Sequence, residues 1–209
     1  MIDGFLTERH FAFLRQALRR LEYRTVGSDY MSLGAAWTPE ELRPLESRPF
    51  DSGIERNPAD PVSVALALFI EAIDHASDLI RDVCALHAVG TYSLRSYLYP
   101  QSVTLNWHSD VGKGGAFTYY HHEKWHRRWG GELLVADATV GVGSDATGEG
   151  PDEAPPSEDD DGYVLRPLPN RLVILRSGVA HKIVPVSRAA GAHTRASLTG
   201  FIASDERAD

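Results

Sequence analysis

The chain has 209 residues, a length that favours one domain and lets it bury a core without staples. Its formal net charge of -8 argues against a general nucleic-acid binder, which would carry a basic face, and disfavours an anionic membrane surface. A single cysteine, Cys84, excludes an internal disulfide framework and fits a reducing compartment.

The opening segment, MIDGFLTERHFAFLRQ, has neither the basic n-region nor the apolar h-region of a signal peptide, and no apolar run is long enough to cross a bilayer. The expected location is therefore cytoplasmic. Residues 7–21 read as a helix with Thr7 as N-cap, because Phe11, Leu14, Leu18 and Leu21 recur at helical spacing. A Pro- and Gly-containing stretch over 38–61 reads as loop with a short helical turn at 39–42. Residues 61–87 form the longest helical pattern, with an apolar face of Leu66, Phe69, Ile70, Ile73, Leu79, Ile80 and Val83. Cys84 lies in this run and reads as a small core residue, not a nucleophile.

Beyond Gly90 the segments become short and rich in β-branched and aromatic residues. Strands are expected at 91–98, 104–107, 117–121, 132–136, 163–165, 171–175, 181–184 and 196–202. Two helices followed by about eight strands imply a mainly β fold backed by helices, a sandwich or barrel and not a doubly wound sheet. The single domain divides into a helical N-terminal support, 1–90, and a β core, 91–203. Residues 141–162, including GEGPDEAPPSEDDDG, carry almost no anchoring apolar side chain. They read as a solvated, mobile acidic loop, with recruitment of a basic partner as the sharper alternative.

Two histidines sit in distinctive surroundings. In LNWHSDVG, His108 and Asp110 flank Ser109, and on a strand alternate residues project from one face. In SGVAHKIVPVS, His181 opens a strand just after Gly178. Two imidazoles and one carboxylate on one side of a metal leave the opposite side open, the arrangement of non-haem Fe(II) oxygenases. Further on, Arg195 and Ser197 share a strand face. A guanidinium forks both oxygens of a carboxylate, and a hydroxyl adds a further bond, so the pair suits the distal carboxylate of a 2-oxo acid.

In order, His108-x-Asp110, WGGELLV at 129–135, NRLVIL, SGVAHKIVPV and RASLTGF resemble the Fe(II)/2-oxoglutarate oxygenase superfamily, nearest its prolyl 4-hydroxylase-like branch. The resemblance spans roughly residues 92–202. It implies a double-stranded β-helix (a jelly-roll, cupin-like fold) and the consumption of Fe(II), 2-oxoglutarate and dioxygen to give succinate, carbon dioxide and an oxidised product. It makes His108, Asp110 and His181 the iron ligands, Arg195 the 2-oxoglutarate anchor and Ser197 its assistant. A tyrosine on the strand before His108 often contacts the cosubstrate in relatives. Tyr97 and Tyr99 both qualify, one alone is expected to face inward, and Tyr97 is favoured. Arg195 is preferred as anchor over Lys182 and Arg188. Relatives that halogenate replace the carboxylate of this triad, so the retained Asp110 implies hydroxylation or a related oxidation.

Of the remaining candidates, His121 and His122 are weighed as substrate contacts against surface roles. His193 is weighed as a cosubstrate contact against plain exposure. Trp125 and Trp129 are expected to pack the bend at Gly130 and Gly131. Residues 112–117, GKGGAF, read as a lip over the iron with Lys113 as a possible substrate contact. The expected substrate is a small molecule. Hydroxylation of a protein residue and a non-catalytic ligand-binding β protein are the competing readings.

Overall fold

The computed structural model describes residues 1–26, 45–47, 50–51, 57–137 and 162–204. The expected turn at 39–42 and the acidic residues 141–161 lie outside the described residues.

Helix α1 spans Glu8–Leu18, and the Thr7 side chain accepts from the His10 amide, the cap its sequence announces. Helix α2 spans Pro61–His75. Asp60 caps it by accepting from the Val62 and Ser63 amides, and Pro61 stands at the first helical position, where its missing N–H costs nothing. The single long helix expected over 61–87 is in fact two. Ala76 closes α2 with a short hydrogen bond to the Ile73 carbonyl, and α3 runs over Ser77–Cys84. The apolar spacing carries through the break, since Ile73 and Ile80 both face the core, so periodicity conceals it.

Twelve strands follow the chain among the described residues. They are β1 (Ile2–Asp3), β2 (Arg24–Thr25), β3 (Leu45–Glu46), β4 (Phe50–Asp51), β5 (Val89–Tyr99), β6 (Leu105–His108), β7 (Gly115–Tyr120), β8 (Leu133–Ala136), β9 (Gly162–Leu165), β10 (Arg171–Arg176), β11 (His181–Ile183) and β12 (Arg195–Ser204). All eight expected strands are present. Four two-residue strands are additional, so the first ninety residues supply sheet as well as helix.

Two antiparallel sheets face each other. The larger runs β1-β10-β7-β12-β5-β3-β2, with β4 also on β5, and the smaller runs β6-β11-β8-β9. This is the jelly-roll arrangement expected. Alternation sorts the side chains of the larger sheet. Tyr92, Leu94, Phe117, Tyr119, Leu172, Leu198 and Ile202 point outward and form one core with Leu14, Leu18, Leu66, Phe69 and Ile73 of the helices. Tyr99, Tyr120 and Val173 point inward and form a second core with Leu133, Val135 and Ile183 of the smaller sheet. Cys84 is buried in the first core, and burial pushes its thiol pKa up, as a packing residue requires.

Candidate metal and cosubstrate site

β11 lies between β6 and β8, and His181 is the direct cross-strand partner of His108. The two imidazole centroids are 4.2 Å apart. β6 ends at His108, so Asp110 arrives from the turn beyond it and not by strand alternation as the sequence suggested. Ser177 reaches across that turn, its hydroxyl donating to the Asp110 carbonyl over 3.4 Å. The result still brings the carboxylate in, with Asp110 Oδ2 3.6 Å from His181 Nε2. One ligand-capable atom from each of His108, Asp110 and His181 lies within 4.8 Å of the others.

The tautomers fit a metal. His108 Nδ1 donates to the Asn106 carbonyl over 2.8 Å, and His181 Nδ1 donates to the Val179 carbonyl over 2.9 Å. A carbonyl only accepts, so each Nδ1 carries a proton, and in the neutral ring Nε2 is then the nitrogen left to bind a metal. Burial, then the neighbouring His108, lower the His181 pKa and favour the neutral ring a metal needs.

Arg195 is among the largest wholly buried side chains. Its Nε donates to the Gly131 carbonyl over 2.9 Å, while Nη1 and Nη2 make only long contacts, 3.5 Å to Ser197 Oγ and 3.2 Å to the Tyr120 hydroxyl. The guanidinium lies 5.0 Å over the Tyr99 ring and 4.9 Å over the Tyr120 ring. The charge is therefore oriented through Nε and held between two π faces, and its fork meets two neutral hydroxyls and no counter-charge among the described residues.

The cross-strand register corrects the tyrosine expectation. Arg195 stands opposite Tyr99 and Ser197 opposite Tyr97, so both tyrosines share the inward face. Residues two apart on a strand must do so. Tyr99 is the one under the guanidinium, and Tyr97 lies nearer Asp110, whose charge adds to burial in raising its pKa. Tyr120 was not among the expected residues, although it stands opposite Ser197 on the other side of β12.

Gly130 and Gly131 both take left-handed φ, +67° and +73°, and make the expected bend. Trp125 Nε1 donates to the Gly130 carbonyl over 2.8 Å, and Trp125 packs edge-on against Trp129. A Cβ on Gly131 would stand 3.0 Å from Arg195 Cδ, so this glycine is part of the anchor.

The other candidates fall away from this space. His193 is exposed and stacks on Trp129 at 4.5 Å. Arg188 is exposed, and Lys182 covers Trp107. Lys113 is exposed over the Phe201 ring. His121 and His122 are buried, His121 bonded to Ser96 Oγ at 3.1 Å and His122 to the Pro167 carbonyl at 2.7 Å. Both line a separate cavity of about 430 Å³ between α1 and the outer face of the larger sheet, bounded also by Leu18, Tyr23, Leu98 and Ala196. No residue of the triad borders it.

No curated protein sequence matches the chain. The fold is shared with a Pseudomonas putida prolyl-4-hydroxylase, at 18% identity and TM-score 0.62 over 98% of this chain and 91% of that one. It is shared with a prolyl hydroxylase from Trichoplax adhaerens in complex with a hypoxia inducible factor oxygen degradation domain peptide fragment, at 16% identity and TM-score 0.58 over 97% and 82%. It is also shared with SnoN, the non-heme alpha ketoglutarate dependent epimerase from nogalamycin biosynthesis, at 15% identity and TM-score 0.61 over 97% and 77%. The model of the 2OG-Fe(II) oxygenase superfamily matches residues 93–203, which include the triad and Arg195. The chain belongs to the 2OG-Fe(II) oxygenase superfamily, an oxidoreductase family of dioxygenases that use Fe(II), 2-oxoglutarate and dioxygen.

Proposed function

We propose that this protein hydroxylates an unactivated C–H bond of a small molecule, such as an amino acid or a biosynthetic intermediate. His108, Asp110 and His181 hold Fe(II), and Arg195, Ser197 and Tyr99 receive 2-oxoglutarate. The observation that carries the reading is a His-Asp-His cluster whose two imidazoles turn Nδ1 to backbone carbonyls and so present Nε2 to a metal, in a chain that also buries Arg195 on the inward face of the larger sheet. Bound iron supplies the activation of dioxygen that is coupled to oxidation of the 2-oxo acid to succinate and carbon dioxide.

The side chains then have separate tasks. The carbonyls of Asn106 and Val179 fix the two imidazole rings before a metal arrives. Asp110 brings the negative charge that a divalent cation favours. Arg195 grips the far carboxylate, Ser197 adds a hydroxyl, and the Tyr99 and Tyr120 rings keep water from the pair. Tyr97 is the cross-strand partner of Ser197, and the Asp110 charge reaches it. A small, charged substrate is supported by the buried Glu46 and its arginine partners, which border the same inward face beside Tyr97.

Incubation of purified protein with Fe(II), 2-oxoglutarate and a panel of amino acids tests the reading. The expected result is succinate with a product that has gained one oxygen atom. Succinate no higher than in the metal-free control for every substrate would refute it. Hydroxylation of a protein residue is the second reading. A structurally similar hydroxylase binds a peptide, and Tyr163 and Val164 are exposed on the edge strand β9. Turnover of proline-containing peptides in place of amino acids would establish it.

A further inference from the structure

Side chains on the inward face of β5 are spaced by two residues, about 7 Å apart along the strand. Their order is informative. Tyr99 lies under the Arg195 guanidinium. Tyr97 comes next and feels the charges of both Arg95 and Asp110. Arg95 follows, on the side of Tyr97 away from the anchor. Read along one strand, the sequence is cosubstrate anchor, triad neighbour, then a cation.

That cation is held in place. Arg95 Nη1 donates to Glu46 Oε2 over 2.7 Å. Glu46 is buried and is the direct cross-strand partner of Tyr97. Arg24, opposite Glu46 on β2, donates to its other oxygen over 3.0 Å. Two guanidinium groups therefore share one carboxylate, and the trio carries a net positive charge. The Arg95 side chain keeps 35% of its surface open while Glu46 keeps 7%. The acid is enclosed and the base is presented.

Arg95 ties β5 to β3 through Glu46, and Arg24, more exposed, ties the same carboxylate to β2. One carboxylate cannot neutralise both guanidinium groups, so Arg95, partly open on the inward face of β5 and one step beyond Tyr97, keeps positive charge to offer an anion. We infer that Arg95 is a specificity-determining residue that binds a carboxylate of the substrate, with Glu46 fixing its guanidinium. The substrate class is thus a small carboxylic acid. The inference rests on the oxygenase reading above and deepens it.

The test uses protein loaded with Fe(II) and 2-oxoglutarate without oxygen, so that Arg195 is already occupied. The probes are N-acetyl-L-proline, N-acetyl-L-leucine and N-acetyl-L-phenylalanine, each compared with its methyl ester by saturation-transfer NMR. At least one acid is expected to bind about ten-fold more tightly than its ester, the size of a charge-assisted hydrogen bond. R95Q should bring acid and ester within about two-fold of each other, and R95K should keep part of the preference because it keeps the charge without the fork. If R95Q does not fold, R95K alone decides, since a clamp role would leave the acid preference whole. Acids and esters that bind alike in the unaltered protein, no binding of any acid, or a preference that survives R95Q would each overturn the inference. Iron content and calorimetric 2-oxoglutarate affinity are measured on the same samples. Their loss in the unaltered protein would refute the oxygenase site itself and is distinct from a failure at Arg95.

Discussion

Arg195 stands directly opposite Tyr99 across the β5–β12 ladder, its guanidinium 5.0 Å above the ring. The ring cannot neutralise the charge, so the pocket is built for an anion that arrives later. R195A should weaken 2-oxoglutarate binding by about 30-fold or more, the cost of about 2 kcal/mol or more for truncating one partner of a buried charged contact. R195K should recover part of this, because one ammonium replaces one arm of the fork. Calorimetric titration of the iron-loaded protein reads both. A change below about three-fold in R195A would remove this residue from the cosubstrate site.

Gly131 tests the same anchor from behind. G131A places a Cβ 3.0 Å from Arg195 Cδ and 3.2 Å from Trp125, at a φ of +73°. The left-handed strain alone costs about 1–3 kcal/mol. The expected outcome is a lowered melting temperature together with weaker 2-oxoglutarate binding. A variant that melts earlier and binds 2-oxoglutarate normally would show that the glycine serves the bend only.

The triad is tested most directly through its carboxylate. D110A leaves both imidazoles oriented by their carbonyl partners but removes the only negative charge. Iron content after dialysis should fall by about ten-fold or more, and substrate-dependent succinate should vanish. H181A should do the same. Retention of stoichiometric iron by either variant would contradict the assignment of that ligand.

Acid stability follows from two histidines outside the site. Burial holds His121 down to about 3 and His122 down to about 4. In the unfolded chain both titrate near 6.5. Their folded pKa values are depressed, so the native state stays unprotonated while the unfolded state takes up protons. Their contribution is complete above about pH 6.5 and is lost as pH falls towards 4, at up to about 1.4 kcal/mol per proton per pH unit. Denaturant titrations at pH 7, 6 and 5 should show a steep decline, and H121Q should flatten it by about one proton. Parallel pH profiles for H121Q and the unaltered protein would mean that His121 titrates normally.

Much of the site was legible because its residues fall in short, ordered motifs. His108, Asp110, His181, Arg195 and Ser197 were each identifiable from neighbours in the sequence; the structure gathers the first three into one cluster and sets Arg195 beside Ser197. The route was less legible than the outcome. Asp110 reaches the cluster from a turn, which strand alternation does not describe. Alternation did place Tyr97 and Tyr99 together, and reading them as exclusive misapplied it. Tyr120 and Glu46 join the inward face only through long-range register, which a local pattern does not carry. The helix break at Ala76 left the apolar period intact. The two-residue strands β1 to β4 are too short to show any period, yet they widen the larger sheet and deliver Glu46.

Among the described residues β6 is an edge strand, paired with β11 alone through His181–His108 and Ile183–Leu105, with an irregularity between them. Two of the three ligand-bearing side chains hang from this strand and its turn, and the third from its neighbour. An ion gripped there closes a ring across the seam, so metal affinity and local rigidity become one quantity. Filling the site would slow amide exchange over residues 105–110 first, and stripping it would let that margin of the smaller sheet fray while the helix-backed sheet stays shut.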